Sequence, residues 1–177
     1  FGEVPPAAVG VLVEGIPSSA ALLTMNAVAM KDGKNKRVVI PRDSSSWKRY
    51  NSLAFSPGFY VGDSWFWMSG TTGRIYDEET GRDVYPEGIE AQDQAIWHNT
   101  LGRILMEAGI APDSVVRTAD YVHPAAIDDY RRKAHSRSLP GKPSRCVREV
   151  LVVNRLLKGD ALLETDATCY LGLDKEI

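Results

Sequence analysis

Apolar positions along the chain follow two periods, and the two mark different elements. Trp97, Leu101, Ile104, Leu105 and Ala108 are spaced as one face of a helix, which predicts a long helix over residues 89–108. Gly109 stands where such a helix needs its cap, with Pro112 shortly beyond. A second, highly charged helix is predicted over 125–138. Asp128 and Asp129 lie near its start and Arg131, Arg132, Lys133 and Arg137 near its end, the order that suits a helix dipole. Short β-prone runs fill the rest: 37–40, ended by Pro41; the aromatic run 64–69; 114–122, closed by His123-Pro124; 146–153; and a run from Ala161. The last two read as a β-hairpin turning near Lys158-Gly159-Asp160. Residues 74–87 hold a turn at Glu78-Glu79-Thr80-Gly81. From Arg37 the order is β, β, helix, β, helix, β, β. That order implies an α+β fold, a sheet with two helices packed on one face. The opposite sheet face then needs cover, which points to oligomerisation.

The final hairpin also carries the candidate chemistry. Arg145 stands at the start of its first strand, and Glu164 sits inside the apolar second strand. A carboxylate among Ala-Leu-Leu costs folding energy unless it is paired or lines a cleft. An ion pair between Arg145 and Glu164 across the hairpin is the plain structural alternative.

The same hairpin has an echo near the N-terminus. Residues 21–27 (ALLTMNA) match 161–167 (ALLETDA) at an offset of 140, and Pro6-Ala7-Ala8-Val9 matches Pro143-Ser144-Arg145-Cys146 at 137. Residues 6–16 and 20–31 are thus expected to form a hairpin turning at Pro17-Ser18-Ser19. The spacing is one ordinary domain length and suggests a duplication whose first copy is represented only by its end. In that copy Ala8 stands for the arginine and Thr24 for the glutamate.

Composition narrows the function classes. With 177 residues, 44% of them hydrophobic and 25% charged, the chain reads as a water-soluble globular protein. No apolar run approaches the ~20 residues that span a bilayer, and no signal peptide opens the chain, so no membrane segment is expected. A net charge of −2 gives no reason to expect nucleic acid, and the basic run Lys31–Arg37 has no interleaved aromatic platform. Cys146 and Cys169, able to face each other across the hairpin, read as reduced thiols of a cytoplasmic protein. Three scattered histidines support no metal site, and His98 reads as a surface residue. Gly141-Lys142-Pro143-Ser144 is no phosphate loop, and no Gly-x-Ser-x-Gly elbow is present.

Taken in order, several segments resemble the Rid (reactive intermediate deaminase, YjgF-type) family. They are Phe55-Ser56-Pro57 leading to Val61-Gly62-Asp63, Trp65-Phe66-Trp67-Met68-Ser69-Gly70, Glu90-Ala91-Gln92 with Gln94, Ala108-Gly109, Val115-Val116-Arg117-Thr118, Pro143-Ser144-Arg145 and Leu163-Glu164-Thr165-Asp166-Ala167. The resemblance covers about residues 36–171. It implies a chorismate-mutase-like fold, trimeric or pseudo-trimeric, with clefts between subunits. It also implies a tandem protein: 1–31 the end of a degenerate first domain, 32–48 a linker and first strand, 49–177 a complete domain. The rest of the first domain would come from another chain or a preceding segment. The implied activity is hydrolytic deamination, without cofactor or metal, of an imine or enamine bearing a carboxylate. Arg145 would grip that carboxylate, Glu164 would position or deprotonate water, and Phe55, Ser69, Gly70 and Cys146 would line the cleft. Phe55 stands where the family has a tyrosine, so one cleft hydroxyl is missing. The alternatives are a chorismatase-like hydrolase of a carboxylated ring compound and a non-catalytic subunit that binds carboxylates.

Overall fold

A computed structural model describes residues 5–15, 23, 25, 27–28, 36–42, 47, 55–134 and 146–172. In chain order the elements are β1 (Val11–Leu12), β2 (Arg37–Val39), β3 (Gly58–Val61), β4 (Trp65–Thr72), β5 (Ile75–Asp77), β6 (Arg82–Val84), α1 (Ile89–Ala95), α2 (Leu101–Ala108), β7 (Val115–Val122), α3 (Ile127–Ala134), β8 (Val147–Val152), β9 (Arg155–Leu156) and β10 (Leu163–Tyr170). A π turn, Ile96–Thr100, joins α1 to α2 in one continuous run. The central sheet has the order β2-β3-β4-β10-β7-β8, all antiparallel except the β7–β8 pair at its edge. The fold is α+β, with the helical run and α3 packed on one face.

The predicted apolar stripe builds the core. Ile96, Leu101, Ile104 and Leu105 are buried against Phe66 and Met68 of β4, Leu163, Ala167 and Cys169 of β10, and Val115 and Val122 of β7. Each such side chain stabilises the fold by roughly 1.5–3 kcal/mol. Gly109 caps α2 in the left-handed region at φ 68°, a conformation that costs glycine nothing. The π turn has its own requirement: a β-carbon on Gly102 would collide with the Trp97 carbonyl oxygen, so only glycine fits there. Thr100 Oγ1 ties the turn to β4, lying 3.2 Å from the Thr72 carbonyl oxygen. On α3, the Tyr130 hydroxyl donates to Asp120, whose second oxygen accepts from Thr165 Oγ1 at 2.8 Å. One buried carboxylate thus bridges helix, β7 and β10.

Three expectations need correction. The segments 146–153 and 161 onward form no hairpin: β7 lies between β8 and β10. Alternation shows that a segment is a strand but not which strand it pairs with, and the crossover between β8 and β10 carries the same turn residues a hairpin would. Cys146 and Cys169, both free thiols, therefore do not face each other across a hairpin, and Arg145 lies outside the described residues. Near the N-terminus, Val11 and Leu12 pair with Leu156 and Arg155. Of the expected second arm, Leu23, Met25, Ala27 and Val28 lie in no strand, and most of the rest, with Thr24, falls outside the described residues. The aromatic strand also runs on through Thr72, past the Ser69 limit. No helix among the described residues is long and apolar enough to cross a membrane.

Candidate functional site

β10 is the last of the described strands yet lies inside the sheet, so its side chains alternate between two covered faces. Leu163, Thr165, Ala167 and Cys169 turn to the helices; Glu164 and Asp166 share the other face. Gln92 fixes the approach to β10. Its Oε1 accepts from Leu162 N at 2.7 Å, and its Nε2 donates to the Asp160 and Pro86 carbonyl oxygens at 3.1 and 3.2 Å.

Glu164 lies opposite Thr72 on β4 and Tyr121 on β7, with 7% of its surface exposed. Among the described residues no hydrogen bond or ion pair reaches its carboxylate. Burial therefore acts unopposed, and with the neighbouring Asp166 charge it pushes Glu164 up to about 7. Asp166 is treated differently. It accepts from Tyr121 Oη at 2.9 Å and from Arg117 Nη1 at 3.0 Å, and the other Arg117 nitrogen bonds Glu149 at 2.6 Å. Burial raises Asp166 too, but Tyr121 and Arg117 oppose it. The result is two carboxylates two residues apart, one tethered and one not. Tyr85 completes the surround: its hydroxyl lies 3.2 Å from Thr72 Oγ1, and burial raises it.

The N-terminal segment forms the remaining wall. Ser56 N and Oγ donate to the Pro6 and Pro5 carbonyl oxygens at 2.9 and 2.6 Å. Ser69 Oγ donates to the Ser56 carbonyl oxygen at 2.6 Å and accepts from Ala8 N at 2.9 Å, while Gly70 N donates to the Ala8 carbonyl oxygen at 3.0 Å. Gly70 is the close-approach point: a β-carbon there would strike both Glu164 Oε1 and the Val9 side chain. Farther along the segment, Val11 packs, as do Tyr85 and Tyr121, against the small cluster of Val153, Leu156 and Ala161.

Of the residues expected from sequence, Glu164, Ser69 and Gly70 come together. Phe55 and Cys146 rest against the main core. Arg145 lies outside the described residues. β8 begins at Val147 beside Arg117, whereas Glu164 is level with Tyr121 and Leu151, about 13 Å farther along the strands. Sequence reasoning missed Thr72, Tyr85, Arg117, Tyr121 and residues 5–9 as neighbours of the glutamate. For Asp166 a signal existed, since it stands at i+2 from Glu164 and must share its face. A groove of about 560 Å³ lies elsewhere, between β2 and the end of α2, lined by Arg37, Arg42, Tyr60 and Glu107. It holds no buried carboxylate, and the chemistry sits with Glu164.

No family model matches the sequence, and no curated protein does. Solved structures do match. A candidate endoribonuclease L-PSP from Entamoeba histolytica is 27% identical with a TM-score of 0.57, over 77% of this chain and 99% of that one. RidA from an Antarctic Psychrobacter is 21% identical with a TM-score of 0.55, over 76% and 100%. Escherichia coli TdcF, solved with bound serine, is 17% identical with a TM-score of 0.53, over 76% and 98%. The ordered segments from Phe55 to Ala167 and the helix-backed sheet are thus similar to those of RidA/YjgF proteins, whose fold this chain shares.

Proposed function

We propose that the chain hydrolyses the C=N bond of a small imine, or of the enamine in equilibrium with it, and releases ammonia. One observation carries this reading: Glu164, buried, unpaired among the described residues and titrating near 7, is poised to take and return a proton. As water oxygen attacks the imine carbon, its proton passes to Glu164 and the C=N π pair moves to nitrogen. Glu164 then protonates that nitrogen, giving a carbinolamine. In the second half the hydroxyl proton returns through Glu164 to nitrogen, C=O forms, the C–N bond breaks and ammonia leaves. Imine plus water gives carbonyl plus ammonia, with nothing left over. A carboxylate of ordinary pKa would take the first proton poorly, and one far above neutrality would already hold it.

TdcF with its bound serine supports a small amino-acid-like ligand for the fold. The endoribonuclease name carried by one neighbour finds less support, since Glu164, Asp166 and Glu149 give this face acidic character that repels a phosphate backbone. The test is ammonia release from freshly generated imines, wild type beside Glu164→Gln. General-base loss predicts a fall of about a hundredfold or more in kcat. Equal turnover by the two proteins would remove Glu164 from the reaction.

A further inference from the structure

The two hydroxyls beside Glu164 have a hydrogen to spare. Thr72 Oγ1 and Tyr85 Oη lie 3.2 Å apart, so one O–H of the two is spent on the other hydroxyl. The second O–H meets no acceptor among the described residues. A phenol is the better donor and an aliphatic hydroxyl the better acceptor, so Tyr85 donates to Thr72 and the spare hydrogen belongs to Thr72. Burial raises Tyr85, which keeps its proton at neutral pH. Accepting from Tyr85 in turn makes Thr72 the stronger donor. Thr72 is only 8% exposed, and a buried donor without an acceptor costs folding energy until a ligand supplies one.

Both hydroxyls are fixed relative to Glu164. Thr72 stands directly opposite Glu164 in the β4–β10 ladder. Paired β-carbons there are about 4.5–5.5 Å apart, so one small atom can touch hydroxyl and carboxylate together. Thr100 Oγ1 donates to the Thr72 carbonyl oxygen at 3.2 Å, and the adjacent Gly73 packs so closely on the Gln92 carbonyl that a β-carbon would collide. Gln92 joins the two arms of the site. Its Nε2 donates to the carbonyl oxygen of Pro86, next in the chain to Tyr85, and its Oε1 accepts from Leu162 N, two residues before Glu164.

Resting on the reading of Glu164 as the proton acceptor, we infer that Thr72 is a second catalytic residue, one that holds the attacking oxygen, and that Tyr85 positions it. Thr72 O–H donates to one lone pair of the water whose own hydrogen faces Glu164. The water's other lone pair forms the bond to the imine carbon as its proton passes to Glu164. The same oxygen becomes the carbinolamine hydroxyl and then the product carbonyl, so Thr72 contacts it throughout and neither gains nor loses a proton.

The experiment measures ammonia release from 2-iminopropionate, made in place by loss of HCl from N-chloroalanine. Thr72→Val keeps the side chain's shape and removes the hydroxyl. Its kcat should fall about tenfold or more while KM stays within about twofold, and Thr72→Ser should keep most of the rate. Tyr85→Phe should lose part of what Thr72→Val loses, and the double variant no more than Thr72→Val alone. An unchanged kcat in Thr72→Val, a rise in KM in its place, or additive losses in the double variant would overturn the inference. If wild type releases no ammonia, the hydrolase reading fails separately. Saturation-transfer NMR with pyruvate and propionate then decides the contact, because only pyruvate carries an oxygen at the attacked carbon. Wild type should hold pyruvate the better of the two, and Thr72→Val should hold them equally. Equal signals from the two acids in wild type, including none from either, would overturn the contact.

Discussion

Glu164 illustrates how a single side chain can be visible in a sequence while its behaviour is not. A carboxylate in an apolar run announces a cost, and the structure shows why the cost is tolerated on a face where Thr72, Tyr85 and Tyr121 surround it without neutralising it. Its proton affinity has a consequence for stability. The folded protein holds the Glu164 proton up to about pH 7, against an ordinary value of 4.5. The native state therefore binds more protons than the unfolded chain between those values, and stability falls as pH rises through that window. The loss reaches about 3 kcal/mol above pH 7, taking 1.36 kcal/mol per unit. Glu164→Gln escapes it, so urea midpoints should show the variant gaining on wild type between pH 5 and pH 8; a pH-independent difference would contradict the assignment. Asp166 is the second cause of the shift, so Asp166→Asn should move the acid limb of the pH–rate profile to lower pH. An unmoved limb would leave burial as the sole cause.

Elements were legible where their signal is local. The long helix, its Gly109 cap, the short strand before Pro41 and the strand after Ser114 were all readable, because a 3.6-residue period and a cap need no knowledge of distant neighbours. Strand pairing was not readable, because β8 and β10 carry the same alternation whether they touch or flank β7. The site inherited that blindness: Tyr121 and Arg117 approach Glu164 and Asp166 only because β7 lies beside β10, and Val9 only because residues 5–9 return to Gly70. The π turn was also invisible, since its apolar spacing matches that of an ordinary helix. It makes Gly102 a test of local strain. Replacing glycine in a regular helix by alanine stabilises by roughly 0.5–1 kcal/mol. Here the collision with the Trp97 carbonyl should win and Gly102→Ala should cost about 1–3 kcal/mol in chemical denaturation. A stabilised variant would mean the turn converts freely to α-helix.

At the scale of the molecule, no strand among the described residues pairs with the outer edge of β8. Val147 is 66% exposed and Leu151 43%, and both share the face that carries Glu149. A long apolar edge invites pairing, so the protein should assemble in solution. Light scattering should give a multiple of 19.5 kDa, and the pair Val147→Lys and Leu151→Lys should reduce it. A wild-type monomer would contradict this expectation.

The position of β10 has a consequence in time as well as in space. Two inner strands, β4 and β7, wait for a partner encoded after both of them, and that partner is made last. During synthesis the ribosome releases half a sheet on each side of an open seam, and the seam cannot close until residues 163–170 emerge. The nascent chain should thus stay dependent on chaperones until that strand emerges, and refolding should be slow and limited by its insertion.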